Sequence, residues 1–169
     1  MTAGPTYFPI ATNTLASTTT SYTFTSIPQT YTDLVLIMNV VPNGTGSGTF
    51  LINGDTTSLY SYTALAGLDT SGTVISFRAG NQTSGNWLSS GAALTDANNL
   101  YLSVLNFMNY SNTSVFKHVV LRENIGQSSY LGAYTNTYRS TSAVTSITMQ
   151  CSSSFGIGTT FTLYGIGAA

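Results

Sequence analysis

The chain has 169 residues, of which only 5% are charged, with a net charge of −1. Its 4 basic residues are scattered and cannot neutralise a phosphate backbone, which argues against nucleic acid as a partner. With 42% apolar and 12% aromatic residues, the composition is the reverse of the disordered signature, and a single domain with a substantial core is expected.

Ser and Thr supply roughly three residues in ten, above average usage, so hydroxyls and amides rather than charges must carry solubility. A surface so poor in charge is weakly defended against association and points to a subunit held in an assembly. Cys151 is the lone cysteine, so no intrachain disulfide forms and nothing indicates an oxidising compartment. Met1 to Leu15 lack a basic n-region and an uninterrupted apolar core, so no signal peptide is expected. No window approaches ~18 consecutive apolar residues, so neither a spanning helix nor a membrane partner is expected. Sequons at Asn43, Asn81, Asn109 and Asn112 fit chance in so Ser/Thr-rich a chain.

In chain order, residues 1–16 read as an N-terminal arm with Gly4-Pro5 and Pro9, carrying a short edge strand at Tyr7 to Thr12. Residues 17–169 read as one domain. Ser21 to Ile27 alternates, Tyr22 and Phe24 inward, until Pro28 closes the strand. Leu34 to Val41 is the most apolar run, with Leu34, Leu36, Met38 and Val40 on one face and Val35, Ile37 and Val41 on the other. It reads as a central strand covered on both sides. Thr49 to Ile52 is a short strand ending in Asn53-Gly54-Asp55, which has the chemistry of a tight turn. Ser58 to Leu65 and Val74 to Arg78 are further strands. Ala79 to Asn99 has no firm assignment, with Trp87-Leu88 as its anchor, and a loop of that length is often functional. Leu100 to Met108 and Phe116 to Leu121 flank the polar turn Asn109 to Ser114, and Ser128 to Tyr138 holds one or two strands. Ala143 to Cys151, with Ile147 and Met149 inward, and Thr159 to Ile166 complete the set. About eight to ten short strands without helical periodicity predict an all-β, antiparallel β-sandwich, with a jelly roll as the expected arrangement.

The chain is thin in catalytic chemistry. His118 is the only histidine and shares a strand face with Phe116 and Val120, where a core or interface role is expected over a catalytic one. One His and one Cys do not build a zinc site. The carboxylates are Asp33, Asp55, Asp69, Asp96 and Glu123; Asp33 and Asp55 read as turn acceptors, and Asn53, Asp55 and Thr56 form an incomplete calcium set. No catalytic residue, metal or cofactor is expected. Tyrosine combines a stacking face with a hydroxyl, so Tyr60 and Tyr62 with Trp87 form a candidate ligand patch. Tyr138 with Arg139, and Tyr7 with Phe8 in the arm, are candidate interface residues.

Four stretches taken together carry a resemblance: Ser26 to Leu36, Ile52 to Asp55 with Tyr60 to Tyr62, Tyr138 to Thr148, and Gly158 to Ile166. In this order they resemble small virion structural proteins of tailed bacteriophages, especially of cyanophages, a module also found at the ends of some fibre-like proteins. The resemblance spans about Ser21 to Ile166. It implies a non-enzymatic virion protein, most simply a capsid decoration (cement) protein that forms a homo-oligomer, a trimer first, on the major capsid protein. The sequence shows no long shaft or tail-attachment region, which favours a free-standing subunit. The alternative is a receptor-binding or fibre-tip module among the tail proteins that recognises host glycan.

Overall fold

A computed structural model describes residues 6–67, 73–88, 100–125 and 130–167. Within them the chain runs β1 (Tyr7–Thr14), β2 (Thr19–Phe24), β3 (Asp33–Val40), β4 (Gly48–Ile52), β5 (Tyr60–Gly67) and β6 (Val74–Gln82). It continues through β7 (Gly85–Leu88), β8 (Tyr101–Met108), β9 (Lys117–Ile125), β10 (Tyr130–Tyr138), β11 (Ile147–Phe155) and β12 (Thr160–Ile166). All pairings are antiparallel, in an eight-stranded sheet ordered β1-β12-β3-β8-β9-β10-β5-β6 and a four-stranded sheet ordered β2-β11-β4-β7. The molecule is an all-β sandwich of two unequal sheets.

Alternation decides which side of each strand is buried. In β3, Leu34, Leu36, Met38 and Val40 point into the sandwich and are fully buried. Phe161 and Leu163 of β12, Leu105 and Phe107 of β8, and Val119 and Leu121 of β9 join them. The small sheet answers with Phe24, Phe50, Ile52, Trp87, Ile147 and Met149. Aromatic pairs cross the interlayer space: Phe50 meets Phe107 edge-on at 5.7 Å, and Tyr22 stacks on Phe161 at 4.8 Å. Each such pair adds about 0.5–1.5 kcal/mol beyond its area.

Two glycines make room for the largest rings. Phe50 is paired with Gly85 across β4 and β7, and its ring lies over that glycine; a Cβ there would sit 2.2 Å from Phe50 Cζ. Trp87 lies over Gly48 in the same way, 2.2 Å from where a Cβ would be. At the start of the β4–β5 connection, Asn53 and Gly54 have φ of 55° and 67°, and the Asp55 N–H donates to Ile52 C=O at 3.0 Å. Two positive φ values in sequence are the type I′ turn that Asn-Gly favours.

Several expectations change. The described residues hold twelve strands where eight to ten were expected, and the unassigned 79–99 stretch supplies the end of β6 and all of β7. Its residues 89–99 lie outside the described set. Ser128 to Tyr138 contributes one strand, β10. The edge strand expected at Tyr7 to Thr12 is present and longer, running to Thr14 and pairing with β12, and Leu15 beyond it is buried in the core. β3 is covered by a second layer on one face alone. Val35, on the other face, is buried among its sheet neighbours, lying opposite Tyr164 and Asn106.

Lys117 is a buried lysine on the inward face of β9, with its ammonium donating to the carbonyls of Asn112, Val115 (2.9 Å) and Thr141 (3.3 Å). It caps the β8–β9 connection from inside, and burial pulls its pKa below the ordinary value. Overpacking beneath a ring costs about 1–3 kcal/mol, so Gly85→Ala and Gly48→Ala are each expected to lower unfolding free energy by about that amount in urea titrations. Gly54→Ala, where a Cβ meets open space, should lose only the smaller cost of a positive φ.

Candidate functional site

The residues singled out from sequence do not assemble into one surface. Trp87 is fully buried: its indole N–H donates to Gln150 C=O at 3.1 Å and its ring stacks on Phe155 at 6.1 Å. Tyr60 is equally buried, accepting from the Ile52 N–H at 2.9 Å and donating to Asp55 C=O at 3.1 Å. Burial pushes its pKa well above the ordinary tyrosine value. Tyr62 is half-buried against Phe77. The proposed Trp87–Tyr60–Tyr62 ligand patch is therefore corrected: two of its three rings are core, held there by hydrogen bonds to backbone.

The interface candidates divide similarly. Tyr138 is buried, stacked on Tyr60 at 4.7 Å, and donates to Asp55 Oδ2 at 2.6 Å. Asp55 Oδ1 accepts from the Thr57 amide (2.7 Å) and hydroxyl (2.5 Å), and these bonds, with Tyr138, lower its pKa. Arg139 donates to Ser58 C=O at 2.7 Å and Asn81 Oδ1 at 2.9 Å, so its guanidinium braces the chain where β5 begins and β6 ends. Tyr138 is thus part of the core, which corrects its reading as an interface residue, while Arg139 is partly exposed and bonded within the chain. Phe8 stacks on Tyr31 at 5.5 Å. Tyr7 alone stays open, 57% exposed on the outer face beside Tyr164.

That outer face is the principal surface feature. The pairing registers place side chains on it in rows. One row runs Pro9, Tyr164, Val35, Asn106, Val120, Thr135, Thr63, Arg78; the next runs Thr12, Thr162, Ile37, Val104, Arg122, Ala133, Leu65, Ser76. A third runs Asn39, Leu102, Asn124, Leu131, Gly67, Val74. Leu131 (60%), Leu65 (54%), Met108 (45%) and Val120 (43%) are exposed on it. Its charged side chains among the described residues are Asp33, Arg78 and Arg122. His118 is also here, exposed, with Nδ1 3.3 Å from Thr137 Oγ1, so the core alternative for it is excluded. Asp33 is engaged as a turn acceptor for the Asn109 N–H at 2.6 Å.

A second feature is internal and was missed. Glu123 is 3% exposed, on the inward face of β9 opposite Ser103 of β8 and Gly132 of β10. The Tyr134 hydroxyl donates to its Oε1 at 2.5 Å, and the Tyr130 hydroxyl lies 3.4 Å from that of Tyr134. Oε2 and Ser103 Oγ are both buried without a hydrogen-bond partner. A Cβ on Gly132 would stand 2.6 Å from Oε1, so the carboxyl lies on the glycine. Burial pushes Glu123 up to about 7, against the opposing hydrogen bonds of Tyr134 and Tyr130. The signal was strand parity: Lys117, Val119, Leu121 and Glu123 share a face. Both faces of β9 carry apolar residues, so alternation alone did not say which is inward.

No three His, Cys, Asp or Glu residues cluster as a metal site among the described residues. The bonded Asn53, Asp55 and Thr57 form a turn network.

Because Glu123 holds its proton more tightly when folded, its contribution to stability is complete below the ordinary value of 4.5 and is lost as pH rises through about 7. At 1.36 kcal/mol per pKa unit the loss is about 3 kcal/mol. Glu123→Gln keeps the acceptor for Tyr134 and supplies a donor toward Ser103, so thermal melts should show the variant less sensitive than wild type between pH 5 and pH 8. Equal slopes would remove Glu123 as the cause.

The chain matches no protein-family model, and no curated protein matches it.

Proposed function

We propose that this chain is a non-enzymatic structural protein of a tailed-phage virion, most specifically a capsid decoration protein. One observation carries the assembly half of this reading: the open face of the eight-stranded sheet presents exposed Tyr7, Leu65, Leu102, Met108, Val120 and Leu131 with few charges among them. Large apolar side chains exposed together on one face, interspersed with polar residues, are typical of protein–protein contact surfaces. The virion half rests on the resemblance of the four sequence stretches. The placement of the described acids also supports a non-enzymatic role, since Asp33 and Asp55 accept backbone amides of turns and Glu123 is sealed in the core.

The strand order supports reading the sandwich as a jelly roll. Taken along the chain, the strands of β1-β12-β3-β8 and β2-β11-β4-β7 switch layers at each step except from β4 to β7, which are neighbours in the small sheet. The β5–β6 and β9–β10 hairpins are then insertions that widen one layer. Jelly rolls serve both capsids and lectins, so this arrangement fits the decoration reading and the receptor-binding alternative equally.

The decoration reading expects the protein in purified particles in amounts comparable with the major capsid protein, by quantitative mass spectrometry. Far fewer copies would move it to the tail. In solution a closed homo-oligomer, a trimer first, is expected by light scattering. Val120→Arg and Leu131→Arg lie on exposed positions and should leave the melting temperature almost unchanged while abolishing incorporation into particles. Undiminished incorporation would free this face from the role.

A further inference from the structure

The outer face is not uniform. At its β10–β5–β6 corner the apolar residues give way to Ser61, Thr63, Thr135, Thr137 and Arg78, which line a depression of about 450 Å³. That lies within the roughly 300–1,000 Å³ of ordinary small-ligand sites. The registers fix the arrangement: Thr137 faces Ser61, Thr135 faces Thr63, and Thr63 faces Arg78. Four hydroxyls therefore stand at the corners of a rectangle about 4.8 Å across the strands and about 7 Å along them. The guanidinium flanks one long side.

These groups are free. Among the described residues the side chains of Ser61, Thr63, Thr135 and Arg78 have no hydrogen-bond partner, and only the Thr137 hydroxyl is shared, with His118. Of the four cations, Lys117 and Arg139 are consumed by backbone carbonyls, whereas the guanidinium groups of Arg78 and Arg122 make no hydrogen bond among the described residues, and of these two Arg78 is the one beside the hydroxyls. Ala79 and Gly80 border the site, and a Cβ at Gly80 would meet nothing, so the corner stays open at the sheet edge. Among the described residues no carboxylate lines the depression. An array of paired donor-acceptor hydroxyls suits a polyhydroxylated ligand, and one unopposed planar cation suits a carboxylate or sulfate on it.

We infer that the Ser61–Thr63–Thr135–Thr137–Arg78 corner is a binding site for an acidic saccharide, a sugar ring on the hydroxyls with its anionic group on Arg78. The inference goes beyond the assembly reading, since neither copy number nor oligomeric state depends on it. Its test is a titration of the isotope-labelled full chain, followed by backbone amide shifts, with four probes in parallel. Two are acidic sugars, N-acetylneuraminic acid and N-acetylglucosamine sulfate; two are controls, neutral N-acetylglucosamine and inorganic sulfate.

The expected result is saturable binding of at least one acidic sugar at millimolar concentration or below, with shifts centred on Ser61, Thr63, Arg78 and Thr135. Arg78→Gln should weaken it about tenfold or more, the value of a charge-assisted hydrogen bond. Thr63→Val with Thr135→Val should weaken the sugar and leave any inorganic sulfate binding as it was. These positions are exposed, and unchanged melting curves confirm that the variants fold. Failure of both acidic sugars to bind, shifts centred elsewhere, equal binding of the neutral sugar, inorganic sulfate binding as tightly as the sugars, or an Arg78→Gln variant of undiminished affinity would each overturn the proposal.

Discussion

Large rings lying flat on glycine backbone are the contact on which this sandwich depends. Phe50 over Gly85 and Trp87 over Gly48 place two bulky side chains within a four-stranded sheet whose partner layer is only about 10 Å away. From there the packing spreads through Phe107, Phe155, Phe161 and Tyr22, so one aromatic seam joins both layers. A chain with so few ion pairs to draw on gains its cohesion from this burial, and its polar bonds mostly tie side chains to backbone. The Trp87 indole, the Tyr60 hydroxyl and the Lys117 ammonium all end on main-chain groups.

The inequality of the two sheets has consequences for function. β9, β10, β5 and β6 extend the large sheet beyond the set β1-β12-β3-β8, and β7 at the edge of the small sheet packs against β9, β10 and β5. A reciprocal pair of hydrogen bonds between the Asn136 amide and the Asn86 main chain, at 2.8 and 3.0 Å, ties this extension to the small sheet. Near that extension the interior becomes polar and holds Glu123 with its two tyrosines. On its outer side the same extension carries the hydroxyl corner. The interior between β1-β12-β3-β8 and the small sheet is thus aliphatic and aromatic, and the polar chemistry collects on the strands added to that set.

Much of the fold was readable because strand alternation is a short-range signal. Leu34 to Val40, Ile147 with Met149, and Phe161 with Leu163 all have the burial that parity predicts. The Asn53-Gly54 turn and the acceptor role of Asp55 were legible for the same reason, since turn chemistry is local, whereas the amide that Asp33 accepts belongs to Asn109, far away in sequence. β7 was missed because four residues, Gly85–Leu88, are too few to show a period.

The candidate sites were harder to read. Trp87, Tyr60, Tyr138 and Arg139 are residue types that favour interfaces, and the sequence has no term for the glycine beneath Trp87 or for the Asp55 carboxylate that claims Tyr138. By itself the sequence determined an all-β chain, its strand faces, its tight turns and its shortage of charge, all properties of neighbours along the chain. Only the tertiary structure decided which face of the long sheet stays open, that Glu123 is sealed inside, and that Arg78 is left free beside four hydroxyls from two other strands. Those outcomes depend on pairings between residues distant in sequence, and strand order is not encoded in the period of any one strand.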